Sequence, residues 1–257
     1  MTYSEKLARR IAGSGSRLCV GLDPRLDRHD GPAGVRAFLE QVIDETAAHA
    51  ACFKPNIAYF EAMGAEGYAM LADLVKRVPP GVPIILDAKR GDIGATQEAY
   101  AKAYFEVLGV DAVTLSPFMG FDSIEPCLRY EGKGVYLLAV TSNPGSADLQ
   151  QLRSESGRHF YEYVGDFAAR AAGLPGDVGF VVGLTNASGE VLDSLPDAPL
   201  LIPGLGAQGG DLEALAGAQK AAPNVINVSR GILYAEPEKS FTEKAQDYAN
   251  RIASVLG

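Results

Sequence analysis

The stretch Ile84 to Thr96, IILDAKRGDIGAT, decides how the rest of the chain is read. It opens in an apolar run whose pattern predicts a strand over Val82–Asp87. Strand side chains alternate faces with a rise of about 3.3 Å per residue, so Asp87 and Lys89 are expected on one side, about 7 Å apart. Asp92 follows across a short turn opened by Gly91. Two acids and a lysine this close are costly to desolvate unless each charge is paired, and core packing gives no reason to end a buried strand with them. A surface ion pair is the plainer account of DxKxxD alone. The other strand ends have to decide.

Working outward, seven more apolar runs read as strands: Arg17–Leu22, Ala51–Pro55, Ala112–Ser116, Val135–Val140, Val178–Gly183, Leu200–Pro203 and Val225–Val228. Helical spacing lies between them. Val35, Phe38, Leu39, Val42, Ile43 and Thr46 recur at three and four, as do Leu71, Leu74, Val75 and Val78 before the Pro79-Pro80 stop. Thr96 to Leu108 reads as a helix closed by Gly109, and Phe160, Val164, Phe167 and Ala171 form another stripe. Asp211 can cap Leu212 to Ala221, and Phe241, Ala245, Tyr248, Ile252 and Val255 line a last helix. These stripes are core faces. Eight β-then-α units predict a (β/α)8 TIM barrel as one domain over 1–257, with a doubly wound sheet as the alternative. LCVGLDPR, around the first strand's end, lacks the glycines of a dinucleotide fingerprint, which favours the barrel.

Composition agrees. A chain of 257 residues is usual for such a barrel, and 47% apolar with 21% charged residues suits a large core in a soluble protein. A net charge of -9 argues against non-specific nucleic-acid binding, so an anionic ligand needs a local basic pocket. Cys19, Cys52 and Cys127 lack metal-ligand spacing, and Cys19 and Cys52, in apolar runs, read as reduced core thiols. MTYSEKLARRIAG at the start is charged, unlike a signal peptide, and no run approaches membrane-spanning length, so a cytoplasmic protein is expected. His29 and His49 flank the first helical stripe and His159 follows strand five, which reads as solvent-facing or structural placement. Residues 145–157 read as a mobile polar connection.

In a barrel, reactive residues gather at the C-terminal ends of strands. There the chain offers Asp23, Lys54, Asp87 and Lys89, whose signs balance on one mouth, and that coincidence is hard to ascribe to solubility. After strand seven, glycines 204, 206, 209 and 210 permit close backbone approach and Gln208 brings an amide donor. Arg230 after strand eight adds a forked cation, so a phosphate site is expected between these loops.

These residues carry a family resemblance. DAKRGDIGAT at Asp87 to Thr96, Lys54 within FKPN, PGLGAQGGD, VSRG and TSNPG after strand five resemble the orotidine 5'-phosphate decarboxylase family, in its longer bacterial branch. The resemblance spans essentially the whole chain. It implies conversion of orotidine 5'-monophosphate to uridine 5'-monophosphate and CO2 in pyrimidine synthesis, with no metal or organic cofactor, no nucleic acid and no membrane. It further implies a homodimer with shared sites. Carried over, Lys54, Asp87 and Lys89 form a charged network that Asp92 of the partner chain completes, with Ile93 and Thr96 beside it. Asp23 and Lys54 hold ribose hydroxyls, Thr141 or Ser142 the pyrimidine, and Gln208 and Arg230 the phosphate. Arg90 and Gly91 carry no assigned role.

The chemistry is coherent. Loss of CO2 leaves a carbanion at C6, no covalent electron sink is evident, and Lys89 can supply a cation and then a proton. Phosphate binding is expected to close the loop from Gly206 to Asp211. One rival is a Mg²⁺-dependent sugar-phosphate decarboxylase or aldolase that resembles the same superfamily, but an ammonium at Lys54 opposes a divalent cation. Another is a silent nucleotide-phosphate-binding barrel, whose signature would be loss of the lysine or an acid, and none is missing.

Overall fold

Each of the eight apolar runs contains a strand: β1 Leu18–Leu22, β2 Cys52–Pro55, β3 Ile85–Arg90, β4 Ala112–Leu115, β5 Gly134–Val140, β6 Asp177–Val182, β7 Leu200–Pro203 and β8 Asn224–Val228. The structure is a computed structural model that describes residues 1–205, 212–217 and 220–257. All pairings are parallel, in the order β2-β1-β8-β7-β6-β5-β4-β3. Parallel bridges at Phe53–Ile84 and Asn56–Asp87 join the two ends. A doubly wound sheet would keep two free edges. This one closes on itself as a (β/α)8 barrel, with helices in the connections.

The third strand starts later and runs further than its hydrophobicity predicts. Pro83 has no N–H to give, and its carbonyl accepts from Phe53 N at 3.0 Å, so regular pairing begins only at Ile85. Beyond Asp87 the strand continues to Arg90 with a register shift against β4. Lys89 causes the break, because its φ is 49°, outside the extended region. Asp87 and Lys89 do meet on one side, as expected, but across a bulge rather than by simple alternation.

Alternation explains what fills the barrel. One inner cluster takes a residue from or beside every strand, with Cys19, Cys52, Ile85, Ala112 and Tyr136 among them, and helix residues Tyr3 and Leu7 pack beneath. Two positions further along β1 to β4 stand Gly21, Lys54, Asp87 and Thr114, which share that inner face one layer nearer the mouth. The intervening residues, such as Val20, Phe53, Leu86 and Val113, belong to the larger cluster against the helices.

The helix Tyr3–Ser14 went unread in the sequence. Its start is a capping box, with Thr2 accepting from Glu5 N and Glu5 accepting from Thr2 N. It seals the N-terminal end of the barrel, where Tyr3 OH meets Tyr136 OH at 3.0 Å and Asp177 accepts from Ser4 N. The predicted stripes otherwise appear as helices Gly31–Thr46, Gly64–Arg77 and Phe241–Leu256, and as the short pair Phe160–Gly165 and Phe167–Arg170. The helix Gly94–Lys102 continues as a wider π turn over Ala103–Leu108 before Gly109 ends it at φ 77°. The helix expected over Leu212 to Ala221 is shorter, Glu213–Ala216, with Gly217 in a turn and Lys220 and Ala221 not helical; its expected cap, Asp211, lies outside the described residues. Among the described residues no helix is long and apolar enough to cross a membrane.

Candidate active site

Four charged side chains meet at the open end. Lys54, on β2, donates to Asp87 Oδ2 at 2.9 Å and stands 4.0 Å from Asp23 Oδ1. Lys89 donates to the other oxygen, Asp87 Oδ1, at 2.5 Å. The Thr114 hydroxyl on β4 donates to that same Oδ1 at 2.9 Å. Side-chain exposure separates the two lysines: 5% for Lys54 and 47% for Lys89. Lys54 is thus a fixed internal counter-charge, while Lys89 keeps a half-exposed ammonium held by Asp87.

The electrostatics follow from that packing. Burial alone pushes the Lys54 ammonium down, but Asp23 and then Asp87 outweigh it and hold it above the ordinary lysine range. Burial pushes the Asp87 carboxyl up, yet Lys54 and then Lys89 hold it well below the usual carboxylate range. Both groups are charged at neutral pH. Lys54 also stands where a metal would have to sit between Asp23 and Asp87, so this donor set does not suit a divalent ion.

A cleft of about 200 Å³ opens above the cluster, lined by Asp23, Lys54, Asp87, Ser142, Asn227 and Arg230 among others. Asp23 Oδ1 is buried without a hydrogen-bond partner, 4.0 Å from the Lys54 ammonium. Arg230 opens the short helix Arg230–Leu233 after β8, is exposed, and pairs with no acid among the described residues. An inner charge cluster thus shares its cleft with a guanidinium that has no acid partner among the described residues.

The family model for orotidine 5'-phosphate decarboxylase / HUMPS matches residues 16–245. The chain belongs to that family. Two proteins named orotidine 5'-phosphate decarboxylase match all of it: one from Roseiflexus sp. (strain RS-1), 45% identical over 97% of its length, and one from Verminephrobacter eiseniae, 48% identical over 98%. The solved structure of Leishmania donovani OMP decarboxylase superposes with a TM-score of 0.88 at 39% identity, covering 100% of this chain and 99% of that one. The resemblance read from the strand ends is borne out for the family and for the barrel.

Not every residue that the likeness to the decarboxylases singled out joins the cluster. Asp23, Lys54, Asp87 and Lys89 do. Asp92 does not: its Oδ1 accepts from Ile93 N at 2.8 Å, and it forms no ion pair among the described residues. Ile93 is 58% exposed and Thr96 lies exposed in the first turn of the next helix. Ser142 lines the cleft, whereas the Thr141 hydroxyl bonds to Gln150 and Asn143. Gln150 belongs to the segment 145–157, which is bound to the body through that contact and through His159 Nδ1 on the Gln151 carbonyl. Arg230 lines the cleft. Gln208 and the loop Gly206 to Asp211 lie outside the described residues.

Sequence reading missed Thr114, Asn227 and Arg25. Thr114 looks like any β-branched strand residue. Asn227 interrupts the apolar β8 run on its inner face, a signal that was there to use, and Arg25 lines the cleft immediately after Pro24, with its N–H donating to Tyr234 OH at 2.7 Å.

Proposed function

We propose that this chain is a cofactor-independent carboxy-lyase that converts orotidine 5'-monophosphate to uridine 5'-monophosphate and CO2 in de novo pyrimidine synthesis. The observation that carries the reading is the series Asp23, Lys54, Asp87, Lys89, in which a half-exposed ammonium is held by a buried carboxylate at the mouth of the barrel. When the bond from C6 to the carboxyl carbon breaks, its electron pair stays on C6. The Lys89 ammonium offsets that charge and then delivers its proton to C6, leaving an amine that solvent reprotonates. Asp87 keeps the ammonium in place. Asp23 and Lys54 take the ribose hydroxyls, Ser142 the pyrimidine, and Arg230 the phosphate.

The site is completed by a second copy of the chain. Asp92, half-buried, takes no part in its own chain's cluster, and Ile93 and Thr96 beyond it are exposed. Phe118 and Met119, after β4, are 70% and 43% exposed, and Gly91 packs close to the Met119 side chain. An apolar surface beside a charged mouth suits a two-fold partner that supplies Asp92 across the interface. The test is a spectrophotometric assay for loss of orotidine 5'-monophosphate. Turnover that disappears in Lys89→Ala, while the fold is retained, supports the reading; no turnover by the unsubstituted chain ends it.

A further inference from the structure

The bulge that aims Lys89 disturbs the hydrogen bonds a regular strand would make. At this point the N–H groups of Ala88 and Lys89 both donate to Thr114 Oγ1, at 3.0 Å and 2.9 Å. Pairing with β4 resumes at Arg90, whose carbonyl accepts from Ser116 N at 2.7 Å. A hydroxyl has two acceptor lone pairs and one proton. With both lone pairs taken by amides, the proton has a single direction left, and it points at Asp87 Oδ1, 2.9 Å away. Thr114 is 1% exposed, so its hydroxyl makes these three bonds inside the protein.

The same oxygen of Asp87 receives the Lys89 ammonium. One buried hydroxyl therefore touches both ends of the linkage that sets the lysine: the left-handed backbone at Lys89, with φ 49°, and the carboxylate that its side chain grips. A lysine does not hold such a backbone without support.

We propose that Thr114 is a positioning residue for the decarboxylation, its hydroxyl fixing the turn at Lys89 and the orientation of Asp87 so that the ammonium meets the reacting carbon. The proposal rests on the decarboxylase reading above. Thr114 touches no substrate; it acts through Lys89 and Asp87.

Thr114→Val keeps the shape and removes the hydroxyl, and Thr114→Ser keeps the hydroxyl. In Thr114→Val, kcat for orotidine 5'-monophosphate should fall roughly 10- to 100-fold while KM stays within about twofold, because ribose and phosphate contacts are untouched. Amide hydrogen exchange should accelerate at Ala88 and Lys89. Thr114→Ser should restore kcat to within about threefold of the unsubstituted enzyme. A Thr114→Val enzyme with unchanged kcat overturns the proposal. So does a valine variant that loses kcat and binding in parallel with melting temperature, or a serine variant no better than valine. If the unsubstituted chain turns over no orotidine 5'-monophosphate, the decarboxylase reading falls and takes this role with it. Turnover by the unsubstituted chain and by Thr114→Val alike sinks the Thr114 assignment alone.

Discussion

A carboxylate that accepts from two ammonium groups and a hydroxyl has little reason to take up a proton, and Asp87 is such a carboxylate. Its depressed folded pKa contributes stability that is fully present above the ordinary Asp value, 3.8, and lost as pH falls through the folded value. The raised folded pKa of Lys54 contributes stability fully present below 10.5 and lost as pH rises through the folded value. Lys54→Met should therefore destabilise the chain by about 3 kcal/mol, the low end for a broken buried pair because Lys89 remains. Chemical denaturation run from about pH 5 to pH 9 should show a constant deficit, which shrinks only in more acidic buffer as Asp87 is neutralised. Arg230 is the opposite case. It is exposed and unpaired among the described residues, so Arg230→Ala should alter stability by less than about 0.5 kcal/mol yet lower kcat/KM by roughly 100-fold or more. Parallel losses in both measurements would contradict a phosphate role.

Elements were legible where hydrophobic period alone decides them. The eight strands and the helices Gly31–Thr46, Gly64–Arg77 and Phe241–Leu256 follow from apolar runs and three-four spacing. Misreadings arose where hydrogen-bond chemistry overrode hydrophobicity. Pro83 delays β3, and a lysine in the left-handed region leaves no mark in a sequence, since glycine or asparagine is the usual sign. The role of Thr114 was equally hidden, because nothing local distinguishes it from a packing residue. The helix Tyr3–Ser14, by contrast, had an available signal in Thr2 and Glu5. Thr2→Ala should cost about 1 kcal/mol by loss of that cap, with kcat unchanged because the helix lies at the far end of the barrel. Thermal melting beside the turnover assay separates the two.

At the scale of the molecule, the cluster within one chain lacks Asp92, and Ile93 next to it lies exposed, as do Phe118 and Met119. If two copies share each site, Lys89→Ala and Asp92→Ala fail for different reasons and can rescue one another. Subunits mixed and allowed to exchange should regain about a quarter of full activity, since half the dimers then hold one intact site of two. Size-exclusion chromatography of the mixture checks that dimers formed, and silence from the mixed dimers would count against sharing. Lys54 has a last consequence at this scale. A cation tethered to β2 by its own hydrocarbon stem, and wedged between two carboxylates, cannot be leached away or swapped for a competing ion. Turnover built on it should be indifferent to chelation of magnesium.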